Sequence, residues 1–106
     1  MQGFFLKIYV GENQKLGGVM LSEWLLEQAK KIGIQGGSAF RAVAGFGRHG
    51  MMHEETFFEL AGSLPVEVGF VVSEEQSQQL LASLKTEKLK LFYVKIAAEY
   101  GVTGEA

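Results

Sequence analysis

The sequence predicts an α+β domain of order β-α-β-β-α-β, a four-stranded antiparallel sheet with two helices on one face. Three observations predict it. Aromatic and β-branched runs of strand length recur, bounded by Gly, Asn or Pro. Two stretches between them carry apolar residues at helical spacing. The alternation of these elements folds most simply through right-handed crossovers into one sheet.

Phe4 to Val10, between Gly3 and Gly11-Glu12-Asn13, reads as the first strand. After Gly17-Gly18, Leu21, Leu25, Ala29 and Ile32 repeat at helical period with Trp24 beside them, while Glu23, Glu27, Lys30 and Lys31 lie opposite. Glu27 and Lys31 form an i,i+4 pair of favourable orientation, and Gly33 suits the helix stop. Trp24, an aromatic at helical spacing, reads as core or interface packing. Ser38 to Phe46 reads as a second strand, broken towards its end by Gly45 and Gly47. The segment at about 47–62 is polar and irregular, with a helical turn expected over Glu54 to Leu60. Leu64 to Val72 is a third strand with Pro65 at its start, where a missing N–H is tolerated. Ser73 stands three residues before Gln76, the spacing of a capping box, and Glu74 and Glu75 favour the positive end of a helix dipole. Ser77, Leu80, Leu81 and Leu84 give this second helix its inner face, and Lys85 and Lys88 suit its C-terminal end. Leu91 to Ala98 closes the sheet, and Tyr100 to Ala106 forms a tail. The order is that of a ferredoxin-like fold.

A length of 106 residues bounds the chain to one domain, and 47% hydrophobic residues supply its core. The longest apolar runs are strand-sized, and the opening Met1-Gln2-Gly3 lacks a basic, apolar leader, so a cytoplasmic location without membrane insertion is expected. The absence of cysteine excludes disulfides, thiolate metal sites and a cysteine nucleophile. A net charge of −2 argues against nucleic acid. All 12 acidic residues are glutamate, so any orienting or metal-holding carboxylate must be Glu. For acid–base catalysis the chain offers His49 and His53 with Glu54 and Glu55 on one loop, and Ser38 and Ser63 stand in no nucleophile elbow; a binding module is expected rather than an enzyme.

Both parities of the strands are apolar. Phe4, Leu6, Ile8 and Val10 alternate with Phe5 and Tyr9; Phe92, Val94 and Ile96 alternate with Leu91 and Tyr93. Helices on one face leave the other apolar in water, so burial against further copies of the chain is expected. Arg41, inside the second strand, calls for a paired carboxylate, and Glu67 on the neighbouring strand is the natural candidate.

Gly45-Phe46-Gly47-Arg48 stands at the end of the second strand. Its glycines let a ligand approach backbone N–H groups, and Arg48 adds forked donors suited to phosphate or carboxylate. Glycines leaving a strand also serve plain turns. His49, Met51, Met52 and His53 offer imidazole and thioether ligands of the kind that suit copper, although the methionines equally suit packing.

These motifs carry a resemblance. Gly45-Phe46-Gly47-Arg48 with His49-Gly50 resembles the Gly-Phe-Gly-Arg-Gln run at the base of the T-loop in nitrogen regulatory PII proteins. Leu64-Pro65 with Val66, Val68, Val71 and Val72 is similar to the Leu-Pro strand after that loop, and Thr103-Gly104-Glu105 resembles the Thr-Gly-Glu near the PII C-terminus. Leu6-Lys7-Ile8-Tyr9 with Gly11-Glu12, Met52-His53 and Phe57-Phe58-Glu59-Leu60 extend the similarity to an uncharacterised PII-like branch, domain-of-unknown-function family 190.

The resemblance implies a homotrimer whose sheets line its centre, with inter-subunit clefts that bind an adenine nucleotide such as ATP, ADP or AMP. It also implies a T-loop, here 47–62, that passes the signal to a partner such as a membrane transporter or channel. Gly45, Phe46 and Gly47 would shape the cleft, His49 would take the place of a ligand-contacting glutamine, and Lys90 would correspond to a phosphate-binding lysine. Thr86-Glu87-Lys88-Leu89 replaces the Gly-rich loop of PII, Tyr100 and Val102 stand where PII has arginines, and the loop is shorter and lacks the uridylylated tyrosine. The effector is therefore left open between a nucleotide and another small anion. A metal-responsive oligomer, similar to the copper-tolerance relatives of PII, is the alternative.

Overall fold

The computed structural model describes residues 1–45 and 64–105. The predicted 47–62 loop and its helical turn lie outside them, as do Phe46, Gly47, Arg48, His49, Met51, Met52 and His53. The elements run β1 (Gln2–Gly11), β2 (Lys15–Leu16), β3 (Val19–Met20), α1 (Leu21–Ile32), β4 (Gly37–Arg41), β5 (Pro65–Val72), α2 (Glu74–Thr86) and β6 (Tyr93–Glu99). Four strands form an antiparallel sheet of order β4-β5-β1-β6, the ferredoxin-like topology expected from sequence.

Register sorts the side chains. Val68 lies opposite Ile8 and Phe70 opposite Leu6, so these four share a face with Val10, Val66 and Val72. That face is buried beneath Leu21, Leu25 and Ala29 of α1 and Leu80 and Leu84 of α2. Trp24 packs partly buried against the same core. Gly37, opposite Phe70, admits no side chain, because a Cβ there would stand 2.5 Å from the Phe70 ring.

The helix ends follow local chemistry. Ser73 accepts from the Gln76 backbone N–H at 3.1 Å while the Gln76 side chain accepts from the Ser73 N–H at 3.0 Å, completing the capping box. α1 has no such cap; Gly17 and Gly18, both at positive φ, instead turn the β2–β3 hairpin that leads into it. The Glu27 ion pair is made with Lys30 at 4.0 Å, one turn-position short of the expected Lys31.

Two strand boundaries also move. β4 ends at Arg41 rather than Phe46, because Ala42 meets Pro65, which begins β5 and has no N–H to continue the ladder. β6 starts at Tyr93 rather than Leu91, and Leu89 and Leu91 ahead of it pack against the core.

Candidate functional site

The stems on either side of residues 46–63 meet at one end of the sheet. Ala42 N–H donates to Pro65 C=O at 2.9 Å, and Glu12 N–H donates to Leu64 C=O at 3.1 Å. The Glu12 carboxylate ties the two stems through its own oxygens: one accepts from the Arg41 guanidinium, the other from Leu64 N–H at 3.3 Å. These hydrogen bonds, Arg41 first and Leu64 second, hold the Glu12 pKa below the usual carboxylate range. Arg41 thus takes Glu12, not Glu67, as its partner. The reason is parity: Arg41 lies opposite Val66 and shares its face, while Glu67 points to the other side.

Glu67 works on that other side. Its carboxylate accepts from the Tyr9 hydroxyl at 3.2 Å and pairs with Lys7 at 3.6 Å. Burial, and then the Glu67 charge and hydrogen bond, push the Tyr9 hydroxyl above its ordinary pKa. Around this polar centre the face is apolar: Phe40 is 65% exposed, Val71 42% and Ile96 46%, with Phe5 and Val94 between them. Among the described residues neither helix covers it, as the double parity of the strands anticipated.

Gly45 is exposed and lies four residues beyond the end of β4, not at the strand terminus as expected. Lys90 is exposed just ahead of β6, where the Tyr9 N–H bond to Phe92 C=O (3.0 Å) carries the β1–β6 ladder towards it. Both residues therefore stand at the end of the sheet where β1 finishes. They belong to opposite edges, three strand spacings or about 14 Å apart. Within one chain they do not converge.

At the far end of the sheet a groove of about 430 Å³ runs between Gln2, Phe4, Glu74 and Glu99. Glu74 is engaged by Lys95 at 3.0 Å and Gln78 at 2.8 Å, and the Lys95 contact lowers its pKa. Its charged lining is acidic, which disfavours an anion. Among the described residues no group of three His, Cys, Asp or Glu side chains is gathered around a metal-sized site.

Comparison with known proteins adds to this geometry. The family model DUF190, described as "Uncharacterized ACR, COG1993", matches residues 3–94. A UPF0166 protein of Aquifex aeolicus is 35% identical over 80 residues, 76% of each chain. Another, from Methanocaldococcus jannaschii, is 32% identical over 79 residues, 74% of this chain and 72% of its own. A crystal structure of a PII-like signaling protein from Thermus thermophilus superposes with a TM-score of 0.60 at 17% identity, covering 92% of this chain and 86% of that one. Among the described residues no helix is long and apolar enough to cross a membrane.

Proposed function

The chain belongs to the DUF190 family and has a PII-like fold, and from this we propose that it is an oligomeric sensor that binds a small anionic effector between subunits. The observation that carries this reading is the placement of Gly45 and Lys90 at one end of the sheet but on opposite edges. A cleft containing both closes only when the β4 edge of one copy meets the β6 edge of the next. Head-to-tail contacts of this kind generate a ring where the rotation between copies closes, and the ring proposed is a homotrimer. The uncovered apolar face around Phe40, Val71 and Ile96 supplies the surface such a ring would bury.

In this assembly Gly45, Phe46 and Gly47 give the effector backbone access, while Arg48, His49 and Lys90 meet its negative charge. An adenine nucleotide is the proposed effector. Its occupancy would alter how residues 47–62 meet a partner protein, a transporter or channel, in the cytoplasm. Arg41, Glu12 and Leu64 support the reading by fixing where that segment leaves and re-enters the sheet. The protein works as a switch in this scheme, with no bond made or broken.

Isothermal titration with ATP, ADP, AMP and cyclic nucleotides tests it directly. Heat saturating at one nucleotide per subunit is expected; silence across the panel at millimolar ligand removes the nucleotide reading.

A further inference from the structure

Among the described residues, ion pairs between elements join Lys7 to Glu67, Lys95 to Glu74 and Arg41 to Glu12. The side chains of Lys7 and Lys95 are 27% and 24% exposed, whereas that of Arg41 is 66% exposed. Arg41 is therefore the cation of the three that a solute reaches most readily. A pair open to water on this side is held weakly, because water competes for the charge.

Glu12 is the anchored half of the pair. Its own N–H donates to Leu64 C=O at 3.1 Å, and its Oε1 accepts from Leu64 N–H at 3.3 Å. Both backbone groups of Leu64 thus end on one residue, which fixes the carboxylate independently of the guanidinium. Arg41 meets the other oxygen, Oε2, through Nη1. A guanidinium fork is shaped for a carboxylate or phosphate, so Glu12 marks the kind of group that this arginine accepts.

The pair also stands beside the glycine expected to shape the effector site. Ala42, next to Arg41, donates its N–H to Pro65 C=O at 2.9 Å, and a Cβ on Gly45 would lie 3.7 Å from Pro65 Cγ. Pro65 follows the Leu64 that Glu12 holds. Arg41, Glu12, Leu64, Pro65 and Gly45 are therefore one connected cluster. While the pair is closed, the carboxylate offsets the guanidinium charge and weakens its pull on an arriving anion.

We propose that Arg41 is an oxyanion-binding residue of the effector site and that Glu12 is its built-in competitor: a carboxylate or phosphate oxygen of the effector takes from Glu12 its place on the guanidinium fork. The inference rests on the anion-sensor reading above and adds a residue and a threshold to it. The acid stays on Leu64 while the long arginine side chain swings, so binding has to open one exposed ion pair.

A double-mutant cycle separates the outcomes. Full-length wild type, Glu12→Gln, Arg41→Ala and the double variant are each titrated with ATP, and with adenosine as the uncharged control. Glu12→Gln keeps a carboxamide oxygen for Leu64 N–H but loses the charge that holds Arg41, and it should bind ATP about threefold more tightly than wild type. Arg41→Ala should bind ATP more weakly, and in that background Glu12→Gln should change nothing. Adenosine should not distinguish the four proteins. Arg41→Gln repeats the cycle if Arg41→Ala does not fold. A gain from Glu12→Gln of the same size with and without Arg41 shows repulsion through space rather than competition, and overturns the inference. Wild type that binds ATP as tightly as Glu12→Gln overturns it too and leaves the sensor reading standing, as does a gain of equal size for adenosine. Binding of ATP by Glu12→Gln with a silent wild type supports the competition, and silence of both removes the sensor reading along with it.

Discussion

Glu12 shows how much one carboxylate can organise. It faces Arg41 from the stem before residues 46–63 and Leu64 from the stem after them. Because its folded pKa is depressed, the two contacts are complete at neutral pH and are lost as acid takes the pH down through the lowered value. The protection of the Leu64 amide, its exchange rate relative to the intrinsic rate, should therefore be lost as the pH falls below the ordinary carboxylate range. Glu12→Gln should abolish that acid step, since a carboxamide still accepts from Leu64 but has no proton to gain. Gly37 gives a second test of a single position. Its missing Cβ leaves room for the Phe70 ring, so Gly37→Ala should cost about 1–3 kcal/mol by overpacking, read from urea unfolding midpoints. Arg41 was legible in sequence as a paired charge, but its partner was not. Choosing between Glu12 and Glu67 requires knowing which face each residue occupies, and that is fixed by cross-strand register.

Capping chemistry was readable at α2 because it is local. Ser73 and Gln76 lie three residues apart, and their reciprocal bonds depend on nothing distant. Ser73→Ala should lower stability by about 1 kcal/mol, with the loss visible as earlier fraying of Glu74 to Ser77 in amide exchange. The start of α1 was harder to read. Gly17-Gly18 announces a turn equally before a helix and inside a hairpin, and the β2–β3 pairing that decides the matter involves only Lys15 to Met20. The premature end of β4 has the same character. Residues 42–45 look strand-like, yet a strand needs a partner, and Pro65 ends the partner's donors.

For the molecule as a whole, the proposed self-association makes the uncovered face its contact surface. Val71→Glu combined with Ile96→Glu places two charges on that face without touching the buried side. Sedimentation velocity should show the double variant as a folded monomer, with far-UV circular dichroism unchanged, against an oligomer for wild type. Persistence of the assembly in the variant would assign the subunit contacts to another surface. The centre of the face is already neutralised within the chain by Lys7, Glu67 and Tyr9. Burial there therefore leaves no charge without a partner, a condition for keeping its desolvation cost tolerable.

The order of the six main elements, the inner faces of the two helices and the second helix cap were determined by the sequence alone, because each rests on periodicity or on neighbours within one turn. The tertiary structure decided the pairing of Arg41 with Glu12 and the separation of Gly45 from Lys90 across the sheet. Those depend on which strands become neighbours and where their ladders stop. Hydrogen bonding between distant segments sets both, and it leaves no periodic trace in the residues it joins.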